Sequence, residues 1–225
     1  MQKWLRGAAL ALLLTAGPAA VYAAPAPTGQ MEVTEAFQWI YSTDRMNYFI
    51  NKDYILYAKT DDGRADFNTV YVPVLKSYDG IQVKDVVEKR RWNNLPLEGF
   101  EFLAGEAEYL KFNIADRTVL LRKKEYLTYS QSQLEMSEPN TLFEIGKLPE
   151  KSVARVFYER VLAYADEHAE DILKNTFKDG AKPEELKRLR DERLAAQKRA
   201  EKAAKEAAKK AKNAKKKAAE EDSGE

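Results

Sequence analysis

The chain is expected to be an α+β protein. The predicted architecture is an antiparallel β-meander sheet covered by a C-terminal amphipathic helix, followed by a long charged Ala/Lys-rich helical tail. Three observations carry this expectation. Aromatic and β-branched residues alternate with polar ones at period two in several short runs between positions 36 and 131. One apolar stripe, Val153, Phe157, Val161, Tyr164, His168 and Ile172, recurs at steps of three and four. Beyond Leu194 the apolar residues are all alanine, set among lysines.

The elements follow in chain order. Residues 1–23 have the three parts of a secretory signal peptide: the cationic start MQKWLR, the apolar run GAALALLLTA, and small residues ending at Ala23. The apolar run is shorter than the roughly 20 residues of a membrane-spanning helix. Residues 24–35 read as a flexible, Pro-rich leader. A β-rich globular domain is expected over 36–178. It opens with a hairpin in which Phe37, Trp39 and Tyr41 alternate with Gln38 and Ile40, and Tyr48 and Ile50 resume the pattern after a polar turn at 42–45. Asp61-Asp62-Gly63-Arg64 is a turn. Val70, Val72 and Val74 then share one strand face, and Pro73 demands an edge or a bulge because it lacks a backbone donor. A helix is expected over 82–93 from the spacing of Val83, Val86 and Val87. Three strands follow at 108–114, 117–123 and 126–131, with Lys123-Lys124-Glu125 as a polar connection. The stripe from Val153 predicts one helix to about residue 176, with Gly180 as its stop. The tail, 181–225, is basic, Ala-rich, and either helical or disordered.

This patterning resembles the surface-adhesin E-like family of small secreted bacterial proteins. The residues that carry the resemblance are Trp39-Ile40-Tyr41, Asn47-Tyr48-Phe49-Ile50-Asn51 with Tyr54-Ile55, and Val70-Tyr71-Val72-Pro73-Val74. It continues through Tyr109–Ile114, Arg117–Arg122 and Tyr126–Tyr129, and so covers about residues 36–135. Relative to that pattern, 79–99 reads as an insertion. The resemblance implies a secreted β-sheet module and assigns no adhesion residues.

Charge divides the molecule. The chain has 37 Lys+Arg and 36 Asp+Glu in 225 residues, yet residues 24–181 are acidic and 182–225 are basic. Ten cations lie close together in the tail: Lys198, Arg199, Lys202, Lys205, Lys209, Lys210, Lys212, Lys215, Lys216 and Lys217. They are the candidate contacts for an anionic cell-envelope polymer. A protein partner is the other expectation. Export argues against nucleic acid, and no transmembrane segment is expected after signal cleavage. The destination is the periplasm or the cell surface.

Composition also narrows the chemistry. With no cysteine and one histidine, thiolate metal sites, cysteine nucleophiles and histidine-based hydrolase relays are excluded or poor fits. No nucleophile elbow, phosphate loop or calcium loop is present, and no cofactor is expected. Asp61, Asp62 and Asp66 read as a solvated turn, and His168 as a structural residue. Glu88 with Glu98, or Glu106 with Glu108, are the carboxylate pairs a glycan hydrolase would need. Trp39, Tyr41, Tyr48, Tyr71, Trp92 and Tyr109 divide between core and surface. The leading expectation is therefore a non-catalytic binding or adhesin-like module, marked by an exposed aromatic patch on the sheet. An envelope scaffold or spacer ranks second. A hydrolase with a cleft holding two carboxylates, one of raised pKa, ranks third.

Overall fold

A computed structural model describes residues 31, 33–177, 180 and 182–222, with side chains absent from the description at 197, 200, 201, 204 and 207–222. The expected signal peptide, 1–23, and most of the leader lie outside the described residues.

Eight antiparallel strands form one sheet: β1 (Phe37–Ser42), β2 (Met46–Asn51), β3 (Leu56–Lys59), β4 (Ala65–Tyr78), β5 (Leu103–Asn113), β6 (Thr118–Thr128), β7 (Gln133–Ser137) and β8 (Thr141–Glu144). The order is β1-β2-β4-β5-β6-β7, with β3 also on β4 and β8 also on β6. Helix α1 (Gly80–Trp92) joins β4 to β5. Helices α2 (Val153–Glu167), α3 (Ala169–Thr176) and α4 (Pro183–Asp222) follow the sheet.

Local chemistry explains the boundaries. Asp79 caps α1 by accepting a 2.7 Å hydrogen bond from the Gln82 backbone N–H, and Ser152 caps α2 through the Arg155 N–H at 3.3 Å. Pro73 sits where β4 changes partner. β3 pairs with β4 up to Tyr71 and β2 from Val74 onward, so the missing proline donor falls in the gap between them.

The two sheet faces differ. Val70, Val72, Val74, Leu110, Phe112 and Val119 form a floor on which Phe157, Val161, Ala165, Ile172 and Leu173 pack. Tyr48 meets Phe157 at 5.1 Å between ring centroids, and Phe112 meets Tyr158 edge-on at 5.8 Å. Each fully buried large side chain contributes roughly 1.5–3 kcal/mol of transfer free energy, so this face dominates stability. The opposite face has a smaller cluster of Met31, Leu75, Ala104 and Leu127, packed by Val33, Phe37 and Phe49.

The structure corrects the predicted fold class. The sheet is not a simple meander capped by one helix and trailed by a separate Ala/Lys-rich helical tail; it is an eight-stranded sheet with four helices. β3 and β8 attach beside the main path, and α1 interrupts the strands. The single helix expected from Val153 to about residue 176 is two helices meeting at His168, whose φ of −102° and ψ of 23° break the α geometry. An apolar stripe survives such a break because both halves face the same sheet.

The strands expected at 117–123 and 126–131 are one strand, β6. Lys123-Lys124-Glu125 does not turn, because these side chains find opposite charges across β5 and along β6. The segment from 182 is not an independent appendage at its start. Leu189 and Glu185 are buried, Leu186 packs on the main core, and Arg188 donates to the Ala65 carbonyl at 2.6 Å.

Candidate functional site

Two features of the sheet stand out, one on each face.

On the helix-covered face, β4, β5 and β6 place Lys76, Glu106, Glu108 and Lys124 side by side between α1 and α2. The alternation that points Val72 and Val74 into the core carries on to Lys76. The Lys76 ammonium donates to Glu106 Oε1 at 2.8 Å and to Glu108 Oε1 at 2.5 Å, and Lys124 pairs with Glu106 from the other side. All three of Lys76, Glu106 and Glu108 are largely buried.

Their electrostatics diverge. Burial opposes ionisation of Glu106, but Lys76 and Lys124 outweigh it and hold the carboxyl at about 2. Glu108 has its pKa raised: burial pushes it up, Lys76 pulls down, and the neighbouring Glu106 charge pushes up again. Burial would lower the Lys76 pKa, but the two carboxylates raise it.

A cavity of about 460 Å³ lies above this cluster, under α1. Arg90 anchors α1 here. Its Nε and Nη2 donate to the Pro96 carbonyl at 3.0 and 2.8 Å, Nη2 reaches Glu135 at 2.7 Å, and the guanidinium lies 3.8 Å from the Phe100 ring centroid.

The pairing of Glu106 with Glu108 is thus real, but its geometry is that of a clamp. One ammonium occupies the space between the carboxylates. A glycosidic oxygen needs that space, with an acid and a nucleophile or base flanking it.

The opposite face is covered only in part by the segment around Met31 and Val33. Across the rest of it, Trp39 is 49% exposed and Tyr109 39% exposed, with Tyr71 and Pro73 half-buried beside Tyr109. A bulge in β6 shapes this surface. Tyr109 pairs with Lys123 and Leu110 with Leu121, which leaves Arg122 as the extra residue.

The bulge re-aims Arg122 across β5, so that its guanidinium lies 5.8 Å from the Tyr71 ring centroid. Lys123 lies 5.1 Å from the Tyr109 ring centroid and pairs with Glu125 at 2.5 Å, and the Tyr109 hydroxyl donates to Glu125 at 3.2 Å. Beyond the bulge, β7 and β8 share the outer edge of β6, and the loop between them crosses the gap. Asn140 in that loop has φ of 46°, a left-handed conformation that asparagine tolerates. Together Tyr71, Pro73, Tyr109, Arg122 and Asn140 surround a pocket of about 290 Å³, with Glu138 at its rim.

The residues singled out from sequence fall in several places. Tyr48 is core. Tyr41 packs beside it, with the Arg160 guanidinium 4.9 Å from its ring centroid. Trp92 ends α1 with 85% of its surface exposed. His168 stacks on Tyr164 at 4.2 Å at the α2–α3 junction. Asp62 is engaged by Thr60 and Arg64. Among the described residues no group of three or more His, Asp or Glu side chains is placed to hold a metal.

Of the tail cations, Lys198, Arg199, Lys202 and Lys205 are exposed on α4. The side chains of Lys209, Lys210, Lys212, Lys215, Lys216 and Lys217 lie outside the description. Arg122 escaped the sequence reading because a bulge leaves no period-two signature; the run Arg122-Lys123-Lys124 within an alternating strand was the available signal.

Among the described residues no helix is long and apolar enough to cross a membrane. No protein-family model matches the chain, and no curated protein matches it.

Proposed function

We propose that the protein is an exported, non-catalytic binding module of the bacterial cell envelope. It engages its ligand with the open sheet face, and the cations from Lys198 to Lys217 add a salt-sensitive contact with anionic envelope polymers. The observation that carries this reading is the open face itself. The main core and the ion cluster lie on the helix side, so the aromatics Trp39, Tyr71 and Tyr109 are left presented on the other.

The resemblance of residues 36–135 to surface-adhesin E-like proteins points the same way. The ammonium clamp between Glu106 and Glu108 favours binding over hydrolysis. The α4 packing argues against a spacer hung loosely from the domain, since its first turns are part of the body.

The test is retention of the purified full-length protein on isolated cell envelopes across a salt series. Loss of retention in a Trp39→Ala/Tyr109→Ala double variant, with the unfolding midpoint unchanged, supports the open face. Retention that ignores this variant and falls only when Lys198, Arg199, Lys202 and Lys205 become glutamine would assign binding to α4 alone. Retention by neither route removes the envelope from the proposal.

A further inference from the structure

We infer that the pocket at the β6 bulge is a saccharide site selective for a sugar unit bearing one carboxylate, of the uronic-acid class. This rests on the reading of the open face as the binding surface, and it names the ligand chemistry.

The argument starts from what the pocket offers. Tyr71 and Tyr109, on neighbouring strands and joined by Pro73, line it with two aromatic rings and an aliphatic ring, with Arg122 over one face of the first and Lys123 over one face of the second. Such a platform suits the C–H face of a pyranose, which is flat and apolar. The rim is polar: Asn140 offers an amide that can donate and accept, and Glu138 accepts. This mixture of apolar floor and a few convergent polar groups is that of a small-ligand site, and about 290 Å³ lies at the small end of the usual range.

Charge then selects the sugar. Lys123 is neutralised by Glu125. Arg122 is the one cation of the lining with no carboxylate partner among the described residues. One unpaired guanidinium matches a single carboxylate and disfavours a densely sulfated chain. A guanidinium receives a carboxylate through two parallel N–H donors, and the bulge has already carried it over the aromatic floor.

A peptide ligand fits less well. β5 is hydrogen-bonded on both sides beneath the pocket, so an extended chain cannot add there as a strand.

The experiment is titration calorimetry of the full-length protein with trigalacturonate and with its fully methyl-esterified form. The ester keeps the rings and removes the charge. The expected result is binding of the acid at least tenfold tighter than the ester. An Arg122→Gln variant should erase that preference, and a Tyr109→Ala variant should weaken both ligands.

Equal binding of acid and ester overturns the carboxylate assignment. Binding of neither saccharide, with envelope retention still lost in the Trp39→Ala/Tyr109→Ala variant, overturns the saccharide class while the open face stands as a surface for another ligand. Binding of neither saccharide together with Tyr109-independent retention overturns both. The acid–ester comparison needs no substitution, so it holds whether or not the variants fold.

Discussion

Lys76 holds two buried carboxylates with one ammonium, and the group titrates as a unit. Removing Glu106 leaves Lys76 and Lys124 without their shared partner. Glu106→Gln is therefore expected to cost about 3–5 kcal/mol in urea unfolding at neutral pH. Glu108→Gln removes the carboxylate whose ionised form burial disfavours, and keeps Lys76 paired to Glu106; a change within about 1 kcal/mol is expected.

The pH dependence follows by sign. Glu106 is ionised more readily in the fold than its ordinary value of 4.5, so its stabilisation is present above pH 4.5 and lost as pH falls towards about 2. Glu108 is shifted the other way, so its protonation adds stability as pH falls through its raised value to 4.5, and that gain is constant below 4.5. Glu108→Gln should accordingly lack the rise in stability that the parent shows as pH falls towards 4.5 and keep the Glu106 loss below it, measured by urea midpoints at each pH. Gly105 is a residue of a different kind. A Cβ there would stand 2.1 Å from the Lys76 carbonyl oxygen. Gly105→Ala must force β4 and β5 apart, at about 3 kcal/mol in the same assay.

Helices α2, α3 and α4 share one task, covering the valine face of the sheet, and α4 does so only with its first turns. Leu189 is buried while Leu194, little more than a turn later, is 50% exposed. Leu189→Ala is expected to cost about 2–5 kcal/mol, and Leu194→Ala no more than about 0.5 kcal/mol, by chemical unfolding. It follows that a chain ending at residue 181 loses core contacts, whereas one ending after Ala196 keeps them. Comparing the thermal midpoints of the two truncations with that of the full chain checks this. Helix α1 depends on Arg90, whose bonds to Pro96 and Glu135 and stack on Phe100 join helix, loop and β7.

At the scale of the molecule, one sheet separates the larger core from the open aromatic face. The helix side holds the larger core and the ion cluster, and the far side keeps aromatic and cationic groups in contact with water. Envelope retention through the cations of α4 is expected to decline as salt rises from 0.05 to 0.5 M, because the screening length shortens from roughly 14 Å to about 4 Å. Retention through Trp39 and Tyr109 should fall less steeply across that range, since only the single Arg122–carboxylate contact on that face is screened. A pull-down at each salt concentration with the aromatic and the lysine variants separates the two contributions.

Local chemistry was legible in the sequence wherever periodicity and punctuation act alone. The β1–β2 hairpin, the shared face of Val70, Val72 and Val74, the α1 segment and the stripe from Val153 to Ile172 all follow from side chains repeating at two or at three to four residues. Those periods come from the backbone and need no partner. Tertiary structure decided the rest. Lys123-Lys124-Glu125 reads as a polar connection until Glu106 on β5 is brought alongside Lys124, and then it is mid-strand. His168 continues a stripe by spacing, yet marks a helix break that sheet packing permits. Arg122 joins the candidate site only because a bulge adds one residue between two registers. Glu106 and Glu108 were visible as a pair, but not the ammonium placed between them. Strand pairing, bulges and buried ion partners join residues distant in sequence, and no local period records them.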